Sequence, residues 1–269
     1  MTSYRDILVR PLGGDERITE IVLNRPERKN AYTQQLCDEL CHALRVFDRS
    51  AVTRVAVLTG AGDAFCSGGD VQHSEEIDQG DAHPFGHGFV MRDTGHTVVR
   101  SLLAVAKPVV AAINGAAVAG GLTFALACDL RIARQRARIG DTSGRLGLLP
   151  DEGGAWFFPR AMGLEAALRM SLLGEVYDAA TAQRLGLVGE VVPDAEFDDA
   201  VRSLAGRLAD AAPLAASVVK RLMRRAADMT LDQALDTLGM AVDVVNRSED
   251  VVEGVDAFLS RRRPSFQGR

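Results

Sequence analysis

The 269-residue chain predicts an α/β fold, and three observations carry that reading. Short apolar runs alternate with helical periodicity through the first two thirds. The runs at 55–59 and 107–113 are apolar on both faces, as strands covered by helices on two sides are. Beyond Pro159 the pattern becomes almost wholly helical. The implied organisation is an α/β core over residues 1–190 and a helical region over 191–269.

Taken in order, Glu16–Asn24 alternates with Ile18, Ile21 and Leu23 apolar, and Arg25-Pro26 stops it as a strand. Thr33–Arg49 sets Leu36, Leu40, Leu44 and Phe47 at helical spacing behind Thr33 as N-cap. Val55–Thr59, Lys107–Ile113 and Asp129–Ala133 read as strands. Between Val71 and Gly95 the chain is polar and aperiodic, which reads as a long loop with an ill-defined helix. Helices then follow over Leu164–Leu173, Asp178–Leu185, Asp194–Asp210, Pro213–Ala227, Leu231–Val245 and Asp250–Arg262.

Composition narrows the function classes. At 47% hydrophobic and 25% charged the chain has enough apolar content for a packed core. Its net charge of −5 argues against nucleic acid or an anionic membrane as the main partner. Pro108–Cys128 carries no charge over a membrane-spanning length. Asn114-Gly115, Gly120-Gly121 and an alanine-rich sequence make it a strand, a turn and a buried helix instead. Four cysteines without a CxxC pair, and no charged-then-apolar leader over Met1–Gly13, lead us to expect a reducing cytoplasm.

Two glycine-rich turns are candidates for chemistry: Phe65-Cys66-Ser67-Gly68-Gly69-Asp70, and Asn114 through Gly121. Each can present backbone N–H groups, the second at a helix N-terminus, and two such donors facing one oxygen make an oxyanion hole. Either turn alone fits equally well a tight turn whose glycines supply positive φ. Neither has the spacing of a nucleotide phosphate loop.

In order, Asn24-Arg25-Pro26-Glu27-Arg28-Lys29-Asn30-Ala31, Leu58 through Asp70 and Lys107 through Gly115 resemble the crotonase (enoyl-CoA hydratase/isomerase) superfamily. Cys128-Asp129, Leu146-Gly147-Leu148-Leu149-Pro150, Gly186-Leu187-Val188 and the tail Phe258 to Phe266 extend the resemblance over nearly the whole chain. It implies a ClpP/crotonase-like fold of repeated ββα units with a C-terminal helical trimerisation region. It also implies an acyl-CoA substrate with no cofactor beyond the coenzyme A it carries, and a homotrimer or a hexamer built as a dimer of trimers. Gly69 and Gly120 would give the oxyanion N–H groups. Arg28 would reach the CoA phosphates, and Ala31, Ser67, Asp70 and Val71 would hold adenine and pantetheine mainly through backbone groups. Phe258 and Arg261 match positions that meet a neighbouring subunit's CoA.

The chain departs from that pattern where hydratases carry two glutamates: Thr123 and Ser143 stand there. Neither hydroxyl serves as a general base near neutral pH, so ordinary hydration is in doubt. An acidic position does persist at Pro150-Asp151-Glu152-Gly153-Gly154, where isomerases of the superfamily carry a catalytic Asp. Asp151 is the match and Glu152 its neighbour, with Leu148, Leu149, Trp156, Phe157 and Phe158 as desolvating flanks, Trp156 also as a substrate contact. One carboxylate suffices for a 1,3-proton shift, from C2 of a 3-enoyl thioester to C4. Asp151 fits equally as a cap for a helix starting near Gly154. The expectation is isomerisation through Asp151. The alternatives are a hydratase or thioester hydrolase using Asp151, Glu152 or a loop histidine, and a non-catalytic CoA-binding member.

Four of the five histidines (His73, His83, His87 and His96) fall in the aperiodic loop or at its end. They read as a solvated loop, an acyl-pocket acid/base or, lacking a defined third ligand, least readily a metal site. Cys37 and Cys41 read as core thiols on one helix face, Asp141 as a replacement acid or a turn residue, and Lys220, Arg221, Arg224 and Arg225 as a solvated basic face.

Overall fold

A computed structural model describes residues 4–71 and 86–269. Six strands form the main sheet: β1 (Ile7–Leu12), β2 (Asp15–Leu23), β3 (Val55–Gly60), β5 (Val109–Ile113), β7 (Leu130–Arg134) and β10 (Glu190–Val192), in that spatial order. The β1–β2 pair is antiparallel and all the others are parallel. A small second sheet orders β4 (Ala64–Cys66), β6 (Ala116–Val118), β8 (Arg138–Gly140) and β9 (Val176–Asp178). Strands β3–β4, β5–β6 and β7–β8 are successive pairs, each placing one strand in the main sheet and the next in the small one.

The described helices are α1 (Gln34–Arg49), α2 (His87–Asp93), α3 (Gly95–Ala104), α4 (Gly120–Ala127), α5 (Gly154–Met162), α6 (Leu164–Leu173), α7 (Ala179–Arg184), α8 (Phe197–Ala209), α9 (Pro213–Ala226), α10 (Leu231–Val245) and α11 (Glu249–Leu259). Thr33 caps α1 as expected, its side chain accepting the Leu36 N–H at 3.3 Å. Strand β3 shows why its run is apolar on both faces. Ala56 and Leu58 pack with α1, α3 and α4, whereas Val55 and Val57 pack with Phe197, Val201, Ala205 and Ala209 of α8.

Two asparagines of the motifs hold the turn between β3 and β4. Asn30 Nδ2 donates to the Ala61 and Ala64 carbonyls at 2.9 and 2.8 Å, and its Oδ1 accepts the Arg25 N–H at 2.9 Å. Asn114 Nδ2 donates to Gly62 O and Ala64 O, both at 3.1 Å. These amides replace solvent for backbone groups that would otherwise be buried unpaired.

Some elements escape the sequence reading. Strand β1 is an edge strand whose middle four residues are exposed, so it carries no alternation. The three-residue strands of the small sheet are too short to show a period. Helix α3 occupies a stretch left unassigned after Gly95 and buries Val98, Val99 and Leu102. Strand β10 runs across the boundary expected at residue 190. The basic face on α9 is not wholly solvated: Lys220 Nζ and Arg224 Nη2 clasp the two oxygens of Asp129 at 2.8 and 2.7 Å, clamping α9 to the end of α4. Arg221 and Arg225 are exposed. Neither α9 nor α10 fully buries a residue, and Leu231, Leu235, Leu238 and Val242 leave an apolar stripe open on α10. Among the described residues no helix is long and apolar enough to cross a membrane.

Candidate active site

A cavity of about 530 Å³ opens where the two glycine turns meet the segment before α5. Gly69, Ala119, Ser143, Asp151 and Glu152 are among its lining. Each wall follows from local structure.

The first turn is fastened to the segment entering α1 by a parallel bridge between Tyr32 and Gly69. Its bonds run from Tyr32 N–H to Gly68 O at 2.9 Å and from Asp70 N–H to Tyr32 O at 3.0 Å. That pattern steps over Gly69 and leaves its N–H without a ladder partner. Gly68 needs its glycine: φ is +95°, and a Cβ there would meet the Ala119 methyl at 3.0 Å. Asp70 does not offer its carboxylate to a ligand, because Oδ2 holds Arg25 at 2.8 Å and both side chains are largely buried.

The second turn ends at Ala119, a non-glycine residue at φ +50°, ψ −127°. Such backbone is strained, and here it delivers the chain into α4 so that Gly120 opens the helix with an N–H that has no partner within the helix. Helix α4 is buried along its whole length. The turns adjoin: a Cβ on Gly68 would lie 3.4 Å from the Gly120 nitrogen. Gly69 and Gly120, expected to act together, are therefore neighbours in space.

The acidic wall differs from the sequence expectation. Asp151, the favoured carboxylate, is exposed, although it lines the cavity. It does not cap α5, whose N-cap is Gly153 at φ +118° with no side-chain bond. Glu152 is the buried acid, at 5% exposure. Its Oε1 accepts a short hydrogen bond from the Tyr32 hydroxyl, and its Oε2 is buried with no hydrogen-bond partner among the described residues. Two glycines make room for it. A Cβ on Gly120 would fall 2.1 Å from Oε1, and one on Gly95 would fall 2.9 Å from Cγ. Burial pushes the Glu152 carboxyl up to about 7; the Asp151 charge adds to the rise and the Tyr32 hydroxyl opposes it.

Arg28, Ala31, Ser67 and Val71, the residues expected to meet CoA, all line the cavity. Trp156 does not; it lies against Phe157 and under the Arg160 guanidinium, 4.1 Å from its centroid. Phe158 and Phe157 are buried and Leu148 and Leu149 line the cavity, so the apolar flank forms without Trp156. Thr123 is fully buried, its Oγ1 without a hydrogen-bond partner among the described residues, and Ser143 is buried in the lining. Asp141 serves its turn: Oδ1 accepts Ser143 N–H at 3.0 Å and Oδ2 accepts Ser171 Oγ–H at 2.7 Å. Phe258 and Arg261 are exposed at the end of α11, Arg261 at φ +55°. His73 and His83 lie outside the described residues, as does the His87 side chain; His96 Nε2 is 2.8 Å from the Asp151 carbonyl oxygen. No cluster of metal-ligating side chains occurs among the described residues. Tyr32 and Met91 of the lining were missed by the sequence reading. Tyr32 sits between a motif and a helix cap and carries no periodic or spacing signal.

The enoyl-CoA hydratase/isomerase family model matches residues 13–269. The chain belongs to the enoyl-CoA hydratase/isomerase family. It is 34% identical to the 1,2-epoxyphenylacetyl-CoA isomerase of Escherichia coli K12, covering 95% of this chain and 97% of that one. It is 37% identical to a probable enoyl-CoA hydratase of Rhodobacter capsulatus, covering 94% and 96%. The crystal structure of an enoyl-CoA hydratase from Bacillus anthracis superposes with a TM-score of 0.91 at 30% identity, covering 98% of this chain and all of that one. The protein is thus a crotonase-fold acyl-CoA enzyme.

Proposed function

We propose that this family member isomerises an unsaturated acyl-CoA, carrying a 3-enoyl double bond into conjugation with the thioester, with Glu152 rather than Asp151 as the proton shuttle. The observation that carries the reading is the Glu152 carboxylate: buried beside Gly120, tied at Oε1 and bare at Oε2. Oε2 takes a proton from C2. The electron pair moves onto the thioester oxygen, held by the Gly69 and Gly120 N–H groups, and the same oxygen returns the proton at C4. A carboxyl held near 7 can both accept and release a proton at neutral pH. The absence of a glutamate at Thr123 and Ser143 supports isomerisation over hydration, and the similar E. coli protein is itself named an isomerase. Arg28, Ala31, Ser67, Asp70 and Val71 would hold the CoA. The open apolar stripe on α10 supports a trimer or a dimer of trimers, with Phe258 and Arg261 reaching a neighbour's CoA.

The test pairs a 3-enoyl-CoA, followed by conjugated-thioester absorbance, with crotonyl-CoA, followed by its loss. Conjugation lost by about a thousandfold in Glu152→Gln but kept within a few-fold in Asp151→Asn supports the reading. The reverse pattern returns the role to Asp151. Hydration of crotonyl-CoA without conjugation of the 3-enoyl thioester overturns isomerisation.

A further inference from the structure

We infer that Tyr32 is a positioning residue that commits Glu152 Oε1, so that Oε2 alone takes and returns the substrate proton. The inference rests on the isomerase reading above and adds to it which oxygen works and what holds it.

The two oxygens of a carboxylate are equivalent in water, and here they are not. Oε1 accepts the Tyr32 hydroxyl, while Oε2 is buried without a hydrogen-bond partner among the described residues. Exchanging them by a ring-like flip of the carboxyl would break and remake that bond inside a packed space. Gly95 and Gly120 bound this space so tightly that neither tolerates a Cβ without displacing Glu152.

Tyr32 is itself fixed by the machinery it serves. Its backbone bonds to Gly68 and Asp70 on either side of Gly69. Its ring packs at 5.1 Å from Phe124 of α4, and a Cβ on Gly120 would come within 2.8 Å of Cε1. One side chain therefore links both glycine turns to the carboxylate, and a displacement of Tyr32 moves all three together.

Simple packing does not account for the hydroxyl. A buried O–H costs free energy unless it is bonded, and a phenylalanine would fill the same volume without that cost. Its hydrogen-bond partner is Glu152 Oε1. Burial first, and then the charge of Glu152, raise the phenol's pKa well above its ordinary value, so it stays a donor at any working pH. With Oε1 occupied, the proton taken from C2 sits on Oε2 and leaves from Oε2 to C4. The C2–H bond breaks, the C4–H bond forms, and no other reactant is needed.

Among the described residues, the remaining ionisable groups around Glu152 are Asp151 in the same segment and Cys66 at the end of β4, whose thiol burial pushes up to about 12. His96 of α3 reaches the Asp151 carbonyl, and Arg28 and Lys29 line the cavity. Removing the Tyr32 hydroxyl deletes none of these side chains, and of them all it is the hydroxyl that bonds Oε1, so a shifted pH profile reports the hydroxyl.

The experiment is Tyr32→Phe in the full chain, assayed with a 3-enoyl-CoA from pH 5 to 9. A hydrogen bond to a charged group is lost, so kcat should fall about ten- to a hundredfold with KM within twofold. The acidic limb of kcat/KM should move to higher pH, because the donor that favours the ionised carboxylate is gone. Wild-type kcat with an unmoved limb, or a change in KM alone, overturns the inference. Should Tyr32→Phe fold poorly by its melting curve, 3-fluorotyrosine in place of Tyr32 keeps the size and donates more strongly. The limb should then move to lower pH, and an unmoved limb again overturns it. Glu152→Gln separates the two levels: full activity in that variant removes Glu152 as the proton shuttle, and with it the ground on which the role of Tyr32 rests. An inactive Glu152→Gln beside a normal Tyr32→Phe removes only the role of Tyr32.

Discussion

The two walls of the cavity are built differently. On one side the donors we propose, the Gly69 and Gly120 N–H groups, are set by turns and a helix start, and no side chain is involved. On the other side a side chain decides everything, and of two adjacent acids only Glu152 is buried while Asp151 stands exposed. A backbone donor is placed by a local turn that its own residues specify. A carboxylate is placed by what surrounds it, in this case Tyr32, Gly95 and Gly120 from three other segments.

Gly120→Ala tests both walls together and should have the largest effect. The added methyl would land 2.1 Å from Glu152 Oε1 and 2.8 Å from the Tyr32 ring, disturbing donor and acid alike. Turnover of a 3-enoyl-CoA should drop by about a thousandfold or more. Activity within tenfold of wild type would mean the two walls are not coupled.

Next comes stability, where the acidic wall acts alone. The folded protein holds the Glu152 proton to about pH 7, against an ordinary carboxyl value of 4.5. A raised carboxyl pKa means that stability is highest while the group is protonated and is lost as pH rises from about 4.5 through 7. Glu152→Gln escapes that loss. It should be more stable than wild type by up to about 3 kcal/mol at pH 8 and little different at pH 4, read from urea melts at both pH values. An equal difference at the two pH values would show that the carboxyl is not destabilised by burial.

Gly95→Ala sharpens the comparison further, since it touches Glu152 and leaves both N–H donors alone. Its Cβ would press on Cγ at 2.9 Å and on the Met91 methyl at 3.3 Å, so kcat should fall about tenfold with substrate affinity nearly kept. A loss confined to KM would place the effect in the acyl pocket instead. The smallest effect belongs to Trp156→Ala: lying outside the cavity lining, it should leave KM within about twofold.

Much of this molecule is legible in the sequence. Thr33 caps its helix, β3 alternates between two cores, and the helices from residue 164 onward fall where periodicity puts them. Such elements repeat over enough residues to show a period. Strand β1 and the three-residue strands of the small sheet do not, because they are held by partners rather than by their own pattern. The site divides the same way. The glycine turns are visible as spacing, and so is the absence of glutamate at Thr123 and Ser143. Tyr32 has no such mark, and Trp156 next to the acids invites a role that its packing against Phe157 and Arg160 does not give it.

By itself the sequence determined the α/β class, the family and the two glycine turns, because each rests on local backbone preference or on an ordered set of residues along the chain. The tertiary structure alone decided which of Asp151 and Glu152 is buried, which partner holds it, and that Lys220 and Arg224 grip Asp129 across 91 and 95 positions of chain. Burial and partnership are properties of segments brought together, and adjacent residues with the same charge differ in them only after folding.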